Sequence, residues 1–167
     1  SQAMGDAFHA AMLKYYGLSP KVVLEGFSRG GLFAINWATR TPDKVSCIYL
    51  DAPVCDITSW PGRARDGLWA EFLAEWNLTE EDAVGFRGNP IDNLEPVAKA
   101  DIPIIGVSGD SDRTVPYEEN LGVLKERYEQ LGGRIEVIIK PGCDHHPHSL
   151  EDPSPVVEFI LACRERE

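Results

Sequence analysis

The chain is 167 residues long, 43% hydrophobic, with a formal net charge of −11. That length suits one domain with a sizeable core, and no apolar run is long enough to cross a bilayer. The acidity speaks against a nucleic-acid or anionic-membrane partner and, more weakly, against polyanionic substrates such as pectate; its plainest role is solubility.

In chain order, Asp6 to Tyr16 reads as an amphipathic helix, with Phe8, Ala11, Met12, Tyr15 and Tyr16 on one face and Gly17 at its stop. His9, on the same helix, reads as structural. Residues 21–27 form an almost continuous apolar run, the pattern of a strand in a parallel sheet. A helix over 29–40 follows at once, packing through Leu32, Phe33, Ile35 and Trp37. The junction is Gly26-Phe27-Ser28-Arg29-Gly30. A serine on so sharp a strand-to-helix turn points its hydroxyl out of the top of the sheet. Gly26 and Gly30 are expected to have no room for a side chain. The N–H of Arg29 lies at the helix N-terminus, where it can donate to an oxyanion. The plainer alternative for Ser28 is a serine that merely caps the helix.

Thr41-Pro42-Asp43 breaks the chain before a strand from Val45 to Leu50, closed by Asp51-Ala52-Pro53. Residues 54–95 differ in character. They carry Trp60, Trp69, Phe72, Trp76 and Phe86, with breakers at Pro61-Gly62 and Gly88-Asn89-Pro90. The pattern predicts an insertion with two short helices, one from about Asp66 to Asn77 and one capped by Thr79 with Asp82 in its first turn. Its aromatic residues read first as a small core, with one or two free to stack on a sugar or an aryl ester. A strand over 103–108 leads into Gly109-Asp110-Ser111-Asp112-Arg113, and an amphipathic helix over 117–131 stops at Gly132-Gly133. A last strand over 134–140 leads into Pro141-Gly142-Cys143-Asp144-His145-His146-Pro147-His148, and a terminal helix spans 154–163. Strand–helix alternation of this kind predicts an α/β fold, a parallel sheet of about four strands flanked by helices. Cys47, Cys55, Cys143 and Cys163 form no CxxC pair. The His145-His146-x-His148 run lacks spaced carboxylate or thiolate ligands, so no metal site is expected there.

The order Ser28, then a strand-end acid, then a strand-end histidine resembles the α/β-hydrolase superfamily, on its carboxylesterase and carbohydrate-deacetylase branch. The resemblance covers residues from about 18 to the end. It implies Ser28 as nucleophile, Asp112 as orienting acid, His145 as general base, and no cofactor. Asp51 is the second candidate for the acid, since some hydrolases of this kind keep it after that strand; Asp110 reads as a turn residue. His146 and His148 are expected to order the loop or line the pocket. The implied reaction is hydrolysis of a small-molecule or carbohydrate ester, and residues 54–95 stand where such hydrolases place a lid. Two alternatives stay open: a peptidase of the prolyl-oligopeptidase type, and an inactive hydrolase-like module that binds a partner.

The resemblance also implies several strands ahead of the elbow, and a loop that donates a second oxyanion N–H. Only a helix is legible before Ser28. The whole chain, 1–167, is therefore expected to be the C-terminal portion of the fold. Its elbow strand, Val22-Val23-Leu24, would be an apolar edge needing an upstream segment or a second copy to cover it.

Overall fold

In the computed structural model residues 2–64 and 67–164 are described. The elements are α1 (Gln2–Tyr16), β1 (Val22–Phe27), α2 (Gly30–Arg40), β2 (Val45–Asp51), α3 (Gly67–Trp76), α4 (Glu80–Val84), α5 (Glu95–Lys99), β3 (Ile104–Gly109), α6 (Leu121–Gln130), β4 (Ile135–Lys140) and α7 (Ser154–Arg164). The four strands lie side by side in chain order, and every pairing is parallel. All four strands therefore end on the same side of the sheet, with Phe27 opposite Asp51, Asp51 opposite Val107, and Gly109 opposite Lys140. In parallel sheets this carboxyl edge is where ligand sites assemble.

Alternation along the strands splits the core in two. Leu24, Ile48, Leu50, Ile104 and Val137 face Ile35, Val97, Leu121 and Leu124 of α2, α5 and α6. Tyr49, Ile105, Val107 and Ile138 face the other way, against Val156, Phe159 and Ile160 of α7. Burial on both faces explains why these strands read as unbroken apolar runs. Each fully buried Ile or Leu contributes about 1.5–3 kcal/mol. A third, smaller cluster joins Ile57, Trp69 and Ala83 with Leu32, Phe72, Leu73 and Phe86, and belongs to the segment between β2 and β3.

The two expected helices of that segment are α3 and α4. Asp66, where the first was expected to begin, lies outside the described residues. Thr79 caps α4 reciprocally: its hydroxyl accepts the Asp82 N–H at 3.1 Å, and Asp82 accepts the Thr79 N–H at 3.0 Å.

Two expectations are corrected. The continuous helix over 117–131 is broken. A 3-10 turn spans Tyr117–Glu119, and α6 begins only at Leu121. The cause is Asn120, which is 1% exposed. Its Oδ1 accepts the N–H groups of Cys55 (2.9 Å) and Asp56 (3.2 Å), and its Nδ2 donates to Ser59 Oγ and the Pro116 carbonyl. Four hydrogen bonds in a buried setting outweigh the continuity of one helix. The apolar face expected for α1 is also not its buried face. Phe8, Tyr15 and Tyr16 are 65%, 70% and 70% exposed. Instead α1 rests on α2 through Gly5, His9 and Asp6, which accepts from the Trp37 indole. His9 bonds the Pro20 carbonyl oxygen at 2.9 Å, the structural role expected of it.

Between α1, α2 and the free side of β1 runs an apolar groove of about 810 Å³, walled by Met4, Phe8, Met12, Val23 and Trp37. An open parallel edge beside an apolar groove favours association. Light scattering on the 167-residue chain is expected to show a molar mass above that of a monomer; a monodisperse monomer would contradict this.

Candidate active site

The elbow is held by β2. The Ser28 N–H donates to the Asp51 carbonyl at 2.9 Å, and the Ser28 carbonyl accepts from Gly31 and Val54, each at 2.9 Å. Ser28 itself sits at φ +50°, a left-handed conformation that costs an L-residue on the order of 1 kcal/mol. That strain lifts the hydroxyl above the sheet's carboxyl edge. At Gly26 an added Cβ would meet Ala34 Cβ, Gly30 O and Gly31 Cα, each at 3.1 Å, as expected of the turn. Gly30 is a correction, since a Cβ there meets nothing within 4 Å. The crowded position is Gly31, where a Cβ would stand 2.6 Å from Pro53 Cβ. The turn is tight against the chain leaving β2, one residue further on than the motif suggests. Gly30→Ala is accordingly expected to keep melting temperature and activity, and Gly31→Ala to lower both; thermal unfolding of the pair checks the ranking.

The N–H of Arg29 opens α2, and no acceptor among the described residues takes it.

Ser28 Oγ lies 2.9 Å from His145 Nε2, and His145 Nδ1 lies 2.8 Å from Asp112 Oδ2. These residues stand 117 and 33 positions apart in the chain. With Nδ1–H donating to the carboxylate, Nε2 is left to accept the serine proton. Asp112 is buried, and its other oxygen accepts the N–H groups of Thr114 (2.9 Å) and Val115 (2.8 Å). The buried charge is thereby fully bonded.

Two loops carry this acid and base, and they are stitched together. Ser111 N–H donates to the Cys143 carbonyl at 3.0 Å, and Gly142 N–H to Asp110 Oδ1 at 2.7 Å. A Cβ on Gly109 would collide with the Cys143 carbonyl, so the end of β3 and the histidine loop touch main chain to main chain. Asp144 accepts the Arg113 N–H, both forks of the Arg113 guanidinium, and the N–H of His145. The Arg113 backbone N–H, then its guanidinium, hold the Asp144 carboxyl well below the usual carboxylate range. A depressed folded-state pKa stabilises above the unfolded value and is lost as pH falls toward the folded one. The melting-temperature gap between wild type and Asp144→Asn is therefore expected to be constant near neutrality and to shrink below about pH 4.

Asp51 does not reach His145. It is wholly buried and accepts from Tyr49 OH (2.8 Å), the Ser149 N–H (2.6 Å) and His148 Nδ1 (2.8 Å). Burial, then the neighbouring Asp51, pushes the Tyr49 phenol well above its ordinary value, so it remains a donor. Phe27 stacks on the His148 ring at 5.8 Å and 14°. A second acid–histidine pair thus fastens the far end of the loop that bears His145. His145, His146 and His148 fold into a triangle with ring centroids 4.7–5.0 Å apart.

The aromatic segment divides its residues. Trp69 is 3% exposed and belongs to the small core. Trp60, Phe72 and Trp76 wall a cavity of about 410 Å³ together with Arg29, Glu71 and Glu75. Sequence reasoning had no signal for the two glutamates, which look like ordinary surface charge on α3.

The family described as the prolyl oligopeptidase family matches residues 4–163. Among solved structures, dipeptidyl peptidase 4 of Porphyromonas gingivalis is 16% identical with a TM-score of 0.70, covering 98% of this chain and 22% of that one. Esterase PE8 is 18% identical with a TM-score of 0.60, covering 96% and 59%. An alpha/beta hydrolase enzyme, MGS-MChE2, from a sediment metagenome of the Mar Chica lagoon, is 17% identical with a TM-score of 0.59, covering 99% and 70%. The chain spans about a fifth of the length of the peptidase. At these identities the likeness establishes the fold, a partial α/β-hydrolase fold. With nearly its whole length matched, the chain belongs to the prolyl oligopeptidase family of serine hydrolases.

Proposed function

We propose that the chain is the catalytic part of a serine hydrolase that cleaves a carboxylic ester through an acyl-enzyme. The observation that carries this reading is the unbroken relay from Ser28 Oγ through His145 to Asp112, at 2.9 and 2.8 Å. His145 Nε2 takes the Ser28 proton as Oγ attacks the carbonyl carbon. The Arg29 N–H receives the developing oxyanion. Asp112 holds the imidazole in the working tautomer and stabilises the imidazolium. His145 then protonates the leaving alcohol, and water repeats the sequence to free the acid and Ser28.

The proposed substrate carries a small acyl group on a carbohydrate or similar alcohol. Support comes from the cavity reached from the elbow through Arg29, the residue after Ser28, where aromatic walls adjoin Glu71 and Glu75. Flat rings stack on sugar faces, and carboxylates accept from hydroxyls. The family match favours a second reading, a peptidase, in which His145 protonates a leaving amine instead. Turnover of p-nitrophenyl acetate and an acetylated sugar, set against a prolyl p-nitroanilide, separates the two. Preference for the anilide would overturn the ester reading. Turnover of none, with stable association, would favour a binding module.

A further inference from the structure

The sequence spacing of the histidine run predicts no metal site, yet the fold gathers its three rings at one point. His145, His146 and His148 each present a ring nitrogen, and these atoms all lie within 4.8 Å of one another. Two of the three rings are already oriented as metal-binding imidazoles are. His145 gives Nδ1 to Asp112, and His148 gives Nδ1 to Asp51, each at 2.8 Å to a carboxylate whose side chain is 0% exposed. A carboxylate behind Nδ1 fixes the tautomer and raises the basicity of Nε2, the arrangement that supports imidazole ligands in zinc sites. His146 is exposed and meets both other rings edge-on. A tetrahedral zinc bonded to nitrogen at about 2.1 Å holds its ligands about 3.4 Å apart, so the widest pair within 4.8 Å closes by at most about 1.4 Å. Rotation of His146 and a small movement of the loop tip supply that.

We infer that His145, His146 and His148 form an inhibitory site for a divalent cation that favours imidazole, zinc above all. With Nδ1 of His145 held by Asp112, the nitrogen left for the cation is Nε2. His145 Nε2 is the acceptor of the Ser28 proton, at 2.9 Å from Oγ. A cation on that nitrogen occupies the lone pair, so Ser28 keeps its proton and the relay stops. No bond is broken, and a chelator restores the resting state. The net charge of −11 raises the local concentration of cations. Three nitrogen ligands leave a fourth position for water.

The inhibition rests on the serine-hydrolase reading above; the binding does not. The test uses the whole chain and zinc or cobalt(II) salts. Cobalt absorption should show one ion per chain with tetrahedral bands, displaced by zinc. Micromolar zinc should slow p-nitrophenyl acetate turnover and fluorophosphonate labelling of Ser28 in parallel, and a chelator should reverse both. His146→Ala, read against its own metal-free turnover, should weaken binding and inhibition together by about tenfold or more, since losing even a supporting partner of a ligand costs that much. No stoichiometric binding, or equal affinity in His146→Ala, would overturn the inference. So would binding that leaves Ser28 labelling unslowed. A chain that binds cobalt as described but turns over no substrate keeps the site and refutes the hydrolase reading.

Discussion

Ser28→Ala is expected to lower turnover of an activated ester by about a millionfold, the loss seen when the nucleophile of a serine relay is removed. Nothing else at the elbow replaces it. The backbone needs only an L-residue that tolerates φ +50°, and the three hydrogen bonds that hold the turn use the Ser28 main chain. The variant loses one part-buried hydrogen bond to His145, worth about 0.5–1.5 kcal/mol. Its melting temperature should therefore move little while turnover collapses. Wild type treated with a fluorophosphonate should carry the adduct on Ser28 alone, as mapped by mass spectrometry. An adduct on Ser59 or Ser149 would remove Ser28 from the mechanism.

The second large effect concerns the acid. Asp112→Asn should fold, because the amide oxygen can keep the Thr114 and Val115 N–H donors of the carboxylate. Its NH₂ group then faces His145 Nδ1 and donates where the carboxylate accepted. That moves the imidazole proton to Nε2, which can no longer take one from Ser28. Turnover should fall by about ten-thousandfold. Asp51→Asn should be far milder in turnover and more visible in thermal stability. Asp51 is fully buried and serves Tyr49, Ser149 and His148 rather than the reacting base. Steady-state kinetics on the two variants decide the matter: the reverse ranking would make Asp51 the acid.

The elbow was legible because its chemistry is local. Strand, serine and helix N-terminus all lie within ten residues, and the turn demands small residues in a fixed pattern. Asp112 and His145 were legible as a class, each just past a buried strand. The partnership of Asp51 with His148 was not, since the two are 97 positions apart and no local pattern distinguishes a histidine that bonds a buried carboxylate from one facing water. Asn120 shows the same limit. Its helical surroundings are ordinary, and only the arrival of Cys55 and Asp56 makes it a junction. Gly30 and Gly31 are told apart only by Pro53 and the Val54 carbonyl, which crowd one and not the other. The buried side of α1 depends on which elements lie beside it, and periodicity alone cannot say.

The small core of Ile57, Trp69 and Ala83 reaches α2 through Leu32 and stays apart from the main-chain seam between the β3 end and the histidine loop. The two parts can therefore be altered separately. Substitutions at Trp60, Phe72, Trp76 or Glu75 reshape the wall of the cavity while acid and base keep their spacing. A single inserted residue at 109–112 or 141–145 is expected to shear that seam and part Asp112 from His145. The cavity wall and the seam are thus separable parts of one carboxyl edge: the first sets the shape of the space beside α2, and the second sets the spacing of Asp112 and His145.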